Sequence, residues 1–253
     1  MISITIIGSG NVAHHLAKAI SNSSYLDLVQ MAMRNIDNAP KFVDRSKITT
    51  DLTNLKEVDI FLVAVSDDAI EKVLLQIAQP HRLIAHTSGT SDLNICKEDY
   101  RKGVFYPLQT FSKSKEVHFD TLPICLEATK ELDYKLLEKV ALDLTHSVFS
   151  ISSHQRKSLH VAAVFVCNFV NHLYTQGEAI CTENNIDFSI LKPLILETAN
   201  KVMTVSPSDV QTGAAKRKDT LTINNHIQFL SDENQIDIYK LLTQSIINHG
   251  KKL

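Results

Sequence analysis

Two glycines and an alanine follow the first apolar run of the chain, at a spacing that suits phosphate binding. The run Ile2–Ile7 leads into Gly-Ser-Gly-Asn-Val-Ala, and helical periodicity begins at once. In such a unit the first glycine permits the tight turn, the second leaves room for a pyrophosphate, and the alanine lets the helix pack closely. The helix N-terminus then offers free N–H groups. An ordinary strand-to-helix turn is the alternative, but the sequence favours a dinucleotide site formed by Gly8, Ser9, Gly10, Asn11 and Val12.

The end of the next apolar run, residues 26–33, indicates which dinucleotide binds. Sites for NAD place Asp or Glu here to bind the ribose 2′-hydroxyl, whereas sites for NADP omit the acid and offer a cation. Here the run ends in Arg34, and the nearest acid, Asp37, lies three residues further on. A guanidinium suits a phosphate dianion. The sequence therefore predicts NADP(H) as the cofactor, with Arg34 at its 2′-phosphate; otherwise Arg34 is a solvated loop charge.

The elements that must position these residues are short apolar runs alternating with helical stretches. The runs are Ile2–Ile7, 26–33, 59–65, 82–86, 104–106, 124–127 and 148–151. Helices are predicted at 11–21, 39–44 and 67–78 and between the last two runs. Continuous apolar runs are typical of parallel strands buried on both faces. Their alternation with helices predicts an α/β fold with an N-terminal doubly wound Rossmann sheet.

From residue 153 onward the pattern predicts helices only. They are expected at 154–184, 189–204, 220–230 and 233–248. We therefore predict a NADP-binding Rossmann domain over residues 1–152 and an all-helical substrate and dimerisation domain over residues 153–253.

Composition narrows the possible partners. The formal net charge is −2 and the pI is near 6.6, which gives no reason to expect nucleic acid or an anionic membrane as a partner. The first residues suggest a strand rather than a signal peptide, and no stretch is apolar and long enough to span a bilayer. The four cysteines and eleven histidines show no metal-ligand spacing. We expect reduced thiols, no metal and a cytoplasmic location.

Ligands of a doubly wound sheet bind beyond the carboxyl ends of the strands. Val65, Ser66 and Asp67 follow the run at 59–65, and Ser88 follows the run at 82–86. We expect these residues to lie along the nicotinamide half of the cofactor. The two serines have an alternative role as a helix cap or a turn hydroxyl.

The long helix predicted from residue 154 carries a polar stripe on an otherwise apolar surface. At about 100° per residue, Asn168 lies about 80° from His160 around the helix axis. Histidine exchanges protons near neutral pH, so we expect His160 to be catalytic and Asn168 to position substrate or nicotinamide. A hydrogen-bonded core histidine is the alternative. The apolar surface is too extensive for one small domain to cover, which predicts a homodimer.

Taken together, the motifs resemble a known family of small bacterial oxidoreductases that pair a Rossmann domain with a helical domain. These proteins are labelled NADP oxidoreductases or likened to deazaflavin-dependent NADP oxidoreductases. More distantly, the chain resembles pyrroline-5-carboxylate reductase, ketopantoate reductase and the 3-hydroxyacid dehydrogenases. The matching residues are Gly8–Ala13, Val65–Ile70, His86–Gly89, Tyr106–Phe111, Leu159–Val164, Asn168, Phe169, Thr212, Gly213, Arg217, Asp219 and His226.

The chain departs from the family pattern at several positions. Tyr106 stands where His is common, Ala214 where Pro is common, and Lys218 where Gly is common. Val164 stands where the 3-hydroxyacid dehydrogenases have their catalytic lysine, so their mechanism is not expected here. The resemblance implies an NADP(H)-dependent oxidoreductase acting on a small carbonyl, imine or deazaflavin-type acceptor in an interdomain cleft. A non-catalytic NADP(H)-binding sensor or assembly module is the alternative.

Overall fold

The computed structural model describes residues 1–79, 81–95 and 100–249. The chain forms two compact units, Met1–Cys167 and Asn168–Leu253. The predicted boundary at residue 152 lies inside the first unit, because the first turns of the following helix contact the sheet and its loops. As a division between functional domains, that boundary stays a prediction.

The first unit is built on an eight-stranded sheet in the order β3-β2-β1-β4-β5-β6-β7-β8. The strands are β1 Ile2–Ile7, β2 Leu26–Ala32, β3 Ile48–Thr49, β4 Ile60–Val63, β5 Leu83–His86, β6 Arg101–Pro107, β7 Ile124–Ala128 and β8 Val148–Ser150. The first six run parallel, β7 runs antiparallel to β6, and β8 runs parallel to β7. The predicted α/β class and doubly wound Rossmann sheet are confirmed.

Helices cover both faces of this sheet because the strands bury apolar side chains on both. The helices of the first unit are α1 Asn11–Ser21, α2 Asp67–Leu74, α3 Glu131–Leu144 and α4 Ser153–Ala163. Ile4 and Ile6 pack with α1 and α3 in one cluster, whereas Ile7 and Phe61 pack with α2 in another. As a result, the carboxyl ends of β1, β4, β5 and β6 share one edge, where the loops that carry the predicted site residues emerge.

The helix predicted at 39–44 is wrong. Short 3-10 turns form instead at Ile36–Asn38 and Arg45–Lys47. Asn35 and Asp44 are the cause, because each side chain accepts a hydrogen bond from a backbone N–H two residues on and favours a tight local turn. The two-residue strand β3 was not predicted, since so short a segment carries no periodicity.

The second unit is helical, as predicted. Its helices are α5 Val170–Glu183, α6 Lys192–Thr204, α7 Ala214–Arg217, α8 Thr220–Phe229 and α9 Glu233–His249. Val164–Phe169, between α4 and α5, is π-helical. The predicted angle of about 80° between His160 and Asn168 assumed one continuous α-helix. That assumption was wrong, because regular α-helix spacing ends at Ala163. Within the described residues, no helix is long and apolar enough to cross a membrane.

Candidate active site

The turn after β1 has the geometry that the glycine pattern predicts. Gly8 has φ +133°, and a Cβ there would lie 2.1 Å from the Ala64 carbonyl oxygen at the end of β4. Only glycine therefore fits between β1 and β4. A Cβ on Gly10 would meet nothing within 4 Å, so the space in front of it is open. What favours glycine at that position is the room it leaves for a ligand.

The N-terminus of α1 is suited to an anion. Gly10 is the N-cap residue, no side chain caps it, and the first turn contains no acidic residue. The first N–H groups and the positive end of the helix dipole therefore remain for phosphate oxygens. Ala13 is fully buried against the sheet, which brings the helix close to β1. These residues fit the pyrophosphate of a dinucleotide.

The end of β2 presents a cation and no acid. Arg34 is exposed, and no ion pair joins it to another described residue. The pKa of Asp68 at the start of α2 is lowered, chiefly by a hydrogen bond from Ser66, with small contributions from Lys72 and Arg34. Arg34 is an exposed cation beyond the end of β2. Such a cation fits a ribose 2′-phosphate.

A chain of hydrogen bonds joins the loops that follow β4 and β5. The Thr90 hydroxyl donates to the Asp67 carboxylate. The Ser88 hydroxyl accepts the backbone N–H groups of Thr90 (3.1 Å) and Ser91 (2.9 Å). Ser88 thus performs the turn role that was its alternative interpretation, and Ser66 is the N-cap residue of α2. Direct cofactor contacts by these side chains, and by Val65, stay predictions.

Tyr106 and His160 form a hydrogen-bonded pair at the carboxyl ends of β5 and β6. The Tyr106 hydroxyl oxygen lies 3.0 Å from His160 Nδ1. A Cβ on Gly89 would lie 2.5 Å from that nitrogen and 3.0 Å from Tyr106 Cζ, so only glycine lets α4 bring the imidazole this close. Burial raises the pKa of Tyr106 to about 12, which keeps its hydroxyl protonated.

A buried ion pair fixes the start of α4. The Arg156 side chain is fully buried and donates to the Glu127 carboxylate on β7 and to the Ser91 carbonyl. Glu127 also accepts the Ser153 backbone N–H and hydroxyl, each at 2.8 Å. One network therefore ties β7, the loop after β5 and the first turn of α4 together. Sequence reasoning did not find it, although an arginine on a predicted buried helix was a signal.

Sequence comparison assigns the two parts of the chain to two family models. Residues 3–88 match the model described as NADP oxidoreductase, coenzyme F420-dependent, and residues 122–246 match a domain of unknown function, DUF2520. The BF3122 protein of Bacteroides fragilis, named as a candidate NADP oxidoreductase, is 35% identical, with a TM-score of 0.87 and 98% of each chain covered. The chain belongs to this NADP oxidoreductase family. No curated protein matches the sequence.

More distant structures share the fold of this NADP oxidoreductase. Pyrroline-5-carboxylate reductase from Coxiella burnetii is 14% identical, with a TM-score of 0.58, and the match covers 99% of this chain and 98% of that one. Reductive aminase from Aspergillus terreus, solved with NADPH and ethyl-5-oxohexanoate, is 12% identical, with a TM-score of 0.73, and covers 99% and 95%. The predicted family, cofactor and enzyme class are confirmed: the chain is an NADP-dependent oxidoreductase.

Behind the Tyr106–His160 pair lies a second, fully buried histidine. Burial lowers the pKa of His86 to about 4, and the nearby Arg156 charge acts in the same direction. The Ser88 backbone N–H donates to His86 Nδ1 at 3.3 Å, and hydrogen bonding with the Asp92 backbone acts in the opposite direction by raising the pKa. His86 is therefore neutral at physiological pH and supports the loop rather than exchanging protons.

Asn168, the predicted site residue of the second unit, lies within the π-helical segment and is exposed.

In the same unit, Asp219 is the N-cap residue of α8 and accepts from the Thr222 N–H and hydroxyl. His226 Nδ1 lies 2.8 Å from the Tyr239 hydroxyl. Lys218 has φ 57°, in the left-handed region that favours glycine.

Proposed function

We propose that this NADP oxidoreductase transfers hydride between the nicotinamide and a small carbonyl, imine or deazaflavin-type acceptor, while His160 moves the accompanying proton. The observation that carries the proposal is the Tyr106–His160 pair at the carboxyl edge of the sheet. When bound, the cofactor supplies the hydride. During reduction, the acceptor carbon takes the hydride and its oxygen or nitrogen takes the Nε2 proton of protonated His160, which is left as neutral imidazole and is protonated again from solvent.

Tyr106 gives the imidazole a defined orientation. The hydroxyl donates to Nδ1 when the imidazole is neutral and accepts from the Nδ1–H when the imidazole is charged. In both forms the proton on Nε2 is on the other side of the ring. The half-buried imidazole can therefore present a donor to an acceptor atom without turning. Tyr106 is a positioning residue in this scheme.

The acceptor classes are those reduced by proteins of similar fold or family. The names of the two distant relatives favour an imine or a carbonyl, and the description of the matched family model favours a deazaflavin. Each class needs a positioned proton donor beside the nicotinamide.

We propose that Asn168 contacts the acceptor or the carboxamide. We also propose that the protein is a homodimer.

The test is NADPH oxidation with a panel of keto acids, cyclic imines and a deazaflavin. With any accepted substrate, His160→Ala should lower turnover about a hundredfold, the usual effect of removing a positioned acid. Its NADPH affinity and melting temperature should stay near those of the wild type. Tyr106→Phe is the matched variant, because it keeps the ring but releases the imidazole, and its turnover should fall less.

Two results would contradict the proposal. If His160→Ala unfolds early and turnover merely follows the folded fraction, the histidine is structural. If no panel member is turned over while NADPH binds tightly, the non-catalytic sensor is favoured.

A further inference from the structure

The segment Leu108–Glu116, which we call the strap, connects the end of β6 to the flank of α1. At its start, the Leu108 N–H donates to the Pro123 carbonyl at 2.8 Å, which holds the chain beside β7. Its next anchor is on α1, where the Asn11 side-chain amide donates to the Phe111 carbonyl at 2.8 Å. Further along, Lys18 pairs with Glu116 at 2.6 Å.

His15 holds the middle of the strap. His15 is buried, and its Nε2 lies 2.9 Å from the Ser112 carbonyl. Because a carbonyl can only accept, that nitrogen carries the proton. The His15 ring also lies 5.5 Å from the Phe111 ring, which packs on the core beneath α1. The strap therefore has a fixed path along the helix.

The two anchors decide where the first part of the strap runs. Leu108 directly follows β6, and the Phe111 carbonyl lies at the N-terminus of α1. The chain bends at Gln109 between them. Gln109 and Thr110 therefore lie between the end of β6 and the N-terminus of α1, at the carboxyl edge of the sheet.

This path follows the one that a dinucleotide takes from the α1 N-terminus toward the ends of β4 and β5. Gln109 and Thr110 are both exposed. The side-chain oxygen of Gln109, Oε1, accepts the Thr110 N–H (2.8 Å) and hydroxyl (3.2 Å), which fixes the side chain. Its amide nitrogen meets no acceptor in the described part of the chain, so two donors remain for a ligand.

We propose that the strap forms a second wall of the dinucleotide site, with Gln109 donating to the diphosphate or the nicotinamide ribose. Asn11 acts as the tether that holds the strap in place. The ligand chemistry is oxyanion and hydroxyl oxygen, which a carboxamide N–H₂ can bind. The proposal concerns cofactor binding and does not depend on His160 or on the acceptor.

Calorimetric titration with NADPH and with NADH tests it. Gln109→Ala should weaken both cofactors by the same factor, about three- to tenfold, because the lost hydrogen bond is on a part that the two share. Asn11→Ala should weaken both by a similar factor, since it releases the strap. Gln76→Ala is the matched control, because Gln76 is an exposed glutamine that follows α2 outside the strap and donates to the Lys72 carbonyl; its affinities should not change.

The double variant separates tether from ligand. If Asn11 acts through the strap, Asn11→Ala with Gln109→Ala should bind no more weakly than the weaker single variant. Additive losses would instead make Asn11 a direct ligand and overturn the tether. Hydrogen exchange gives an independent readout: NADPH should slow exchange at Thr110 and Phe111. Unchanged exchange there, or wild-type affinity in Gln109→Ala, would overturn the second wall.

Discussion

At the scale of single residues, the residues proposed for cofactor recognition lie on other elements than the pair proposed for proton transfer. Gly8 and Gly10 differ in why they are glycine: the first is confined by β4, whereas the second faces open space. Arg34 adds a positive charge beyond the end of β2. Tyr106 lies at the end of β6 and His160 on α4, so substitutions can test the two proposed roles separately.

We predict that the preference for NADPH over NADH depends on Arg34. Arg34→Ala should raise the Kd for NADPH roughly ten- to a hundredfold, because a charged phosphate contact contributes about 1.5–3 kcal/mol. The Kd for NADH should hardly change, since NADH lacks the 2′-phosphate. Fluorescence titration with both cofactors measures this. Arg82→Ala is the control, because Arg82 precedes β5 at the opposite edge and pairs with Glu57. Equal wild-type affinities for NADPH and NADH would refute the prediction.

The geometry of the glycine turn was predictable because it is local to one strand–turn–helix unit; the role of Arg34 stays a prediction. The Tyr106–His160 contact was not predictable, since it joins residues 54 positions apart and depends on where α4 begins. The sequence pointed to each residue separately, Tyr106 as a departure from the family and His160 as a helix residue. The Arg156–Glu127 pair was missed for the same reason: one partner is on a strand and the other on a helix.

At the scale of elements, α4 is the part that brings the first unit's catalytic candidate to the sheet. Its N-terminus has a capping box formed by Ser152 and Gln155, which satisfies two otherwise free N–H groups. The buried ion pair then locks that first turn to β7. His160 lies one turn beyond Arg156 on the same helix face. The position of the imidazole therefore depends on the network behind it.

We predict that breaking this network costs stability. Arg156→Leu should lower the free energy of unfolding by about 3–5 kcal/mol, because Glu127 would remain partly buried without its partner. Arg156→Leu with Glu127→Leu should cost less than the sum of the single losses. Lys135→Ala is the surface control: its pair with Glu131 is exposed and should contribute less than about 1 kcal/mol. Urea unfolding followed by circular dichroism measures Arg156→Leu, Glu127→Leu, the double variant and Lys135→Ala. Equal losses in Arg156→Leu and Lys135→Ala would contradict the prediction.

The long, periodic elements were predicted almost to the residue, whereas the irregular ones were not. β1 and α1 have the predicted bounds because strong apolar periods define them. The π-helical segment at Val164–Phe169 could not be predicted from the sequence. A π-helix shifts the angular positions of the side chains around the axis, but it does not require a different amino-acid composition. For that reason the angular relation of Asn168 to His160 could not be derived from the sequence.

At the scale of the whole molecule, the two units differ in how well each buries its own side chains. The first unit contains continuous cores on both faces of its sheet. In the second unit, only Cys181 and Gln235 are buried among the described residues. Large apolar side chains are exposed instead; examples are Ile190 (68%), Leu194 (62%), Met203 (80%), Leu221 (72%), Phe229 (66%) and Leu241 (71%). Helices with so little buried surface are not stable in water alone.

We predict that a second copy of the chain covers these side chains, giving a homodimer through residues 153–253. Light scattering at micromolar concentration should report twice the chain mass of 28.3 kDa. Leu194→Glu and Met203→Glu, which place charges on the exposed apolar surface, should shift the protein toward monomer and lower its melting temperature, because the buried charges would be unpaired. Leu75→Glu is the matched control, since Leu75 is a similarly exposed leucine (56%) beside α2 in the first unit. A wild-type monomer with cooperative unfolding would show that the second unit is stable without a partner, and the dimer would then be wrong.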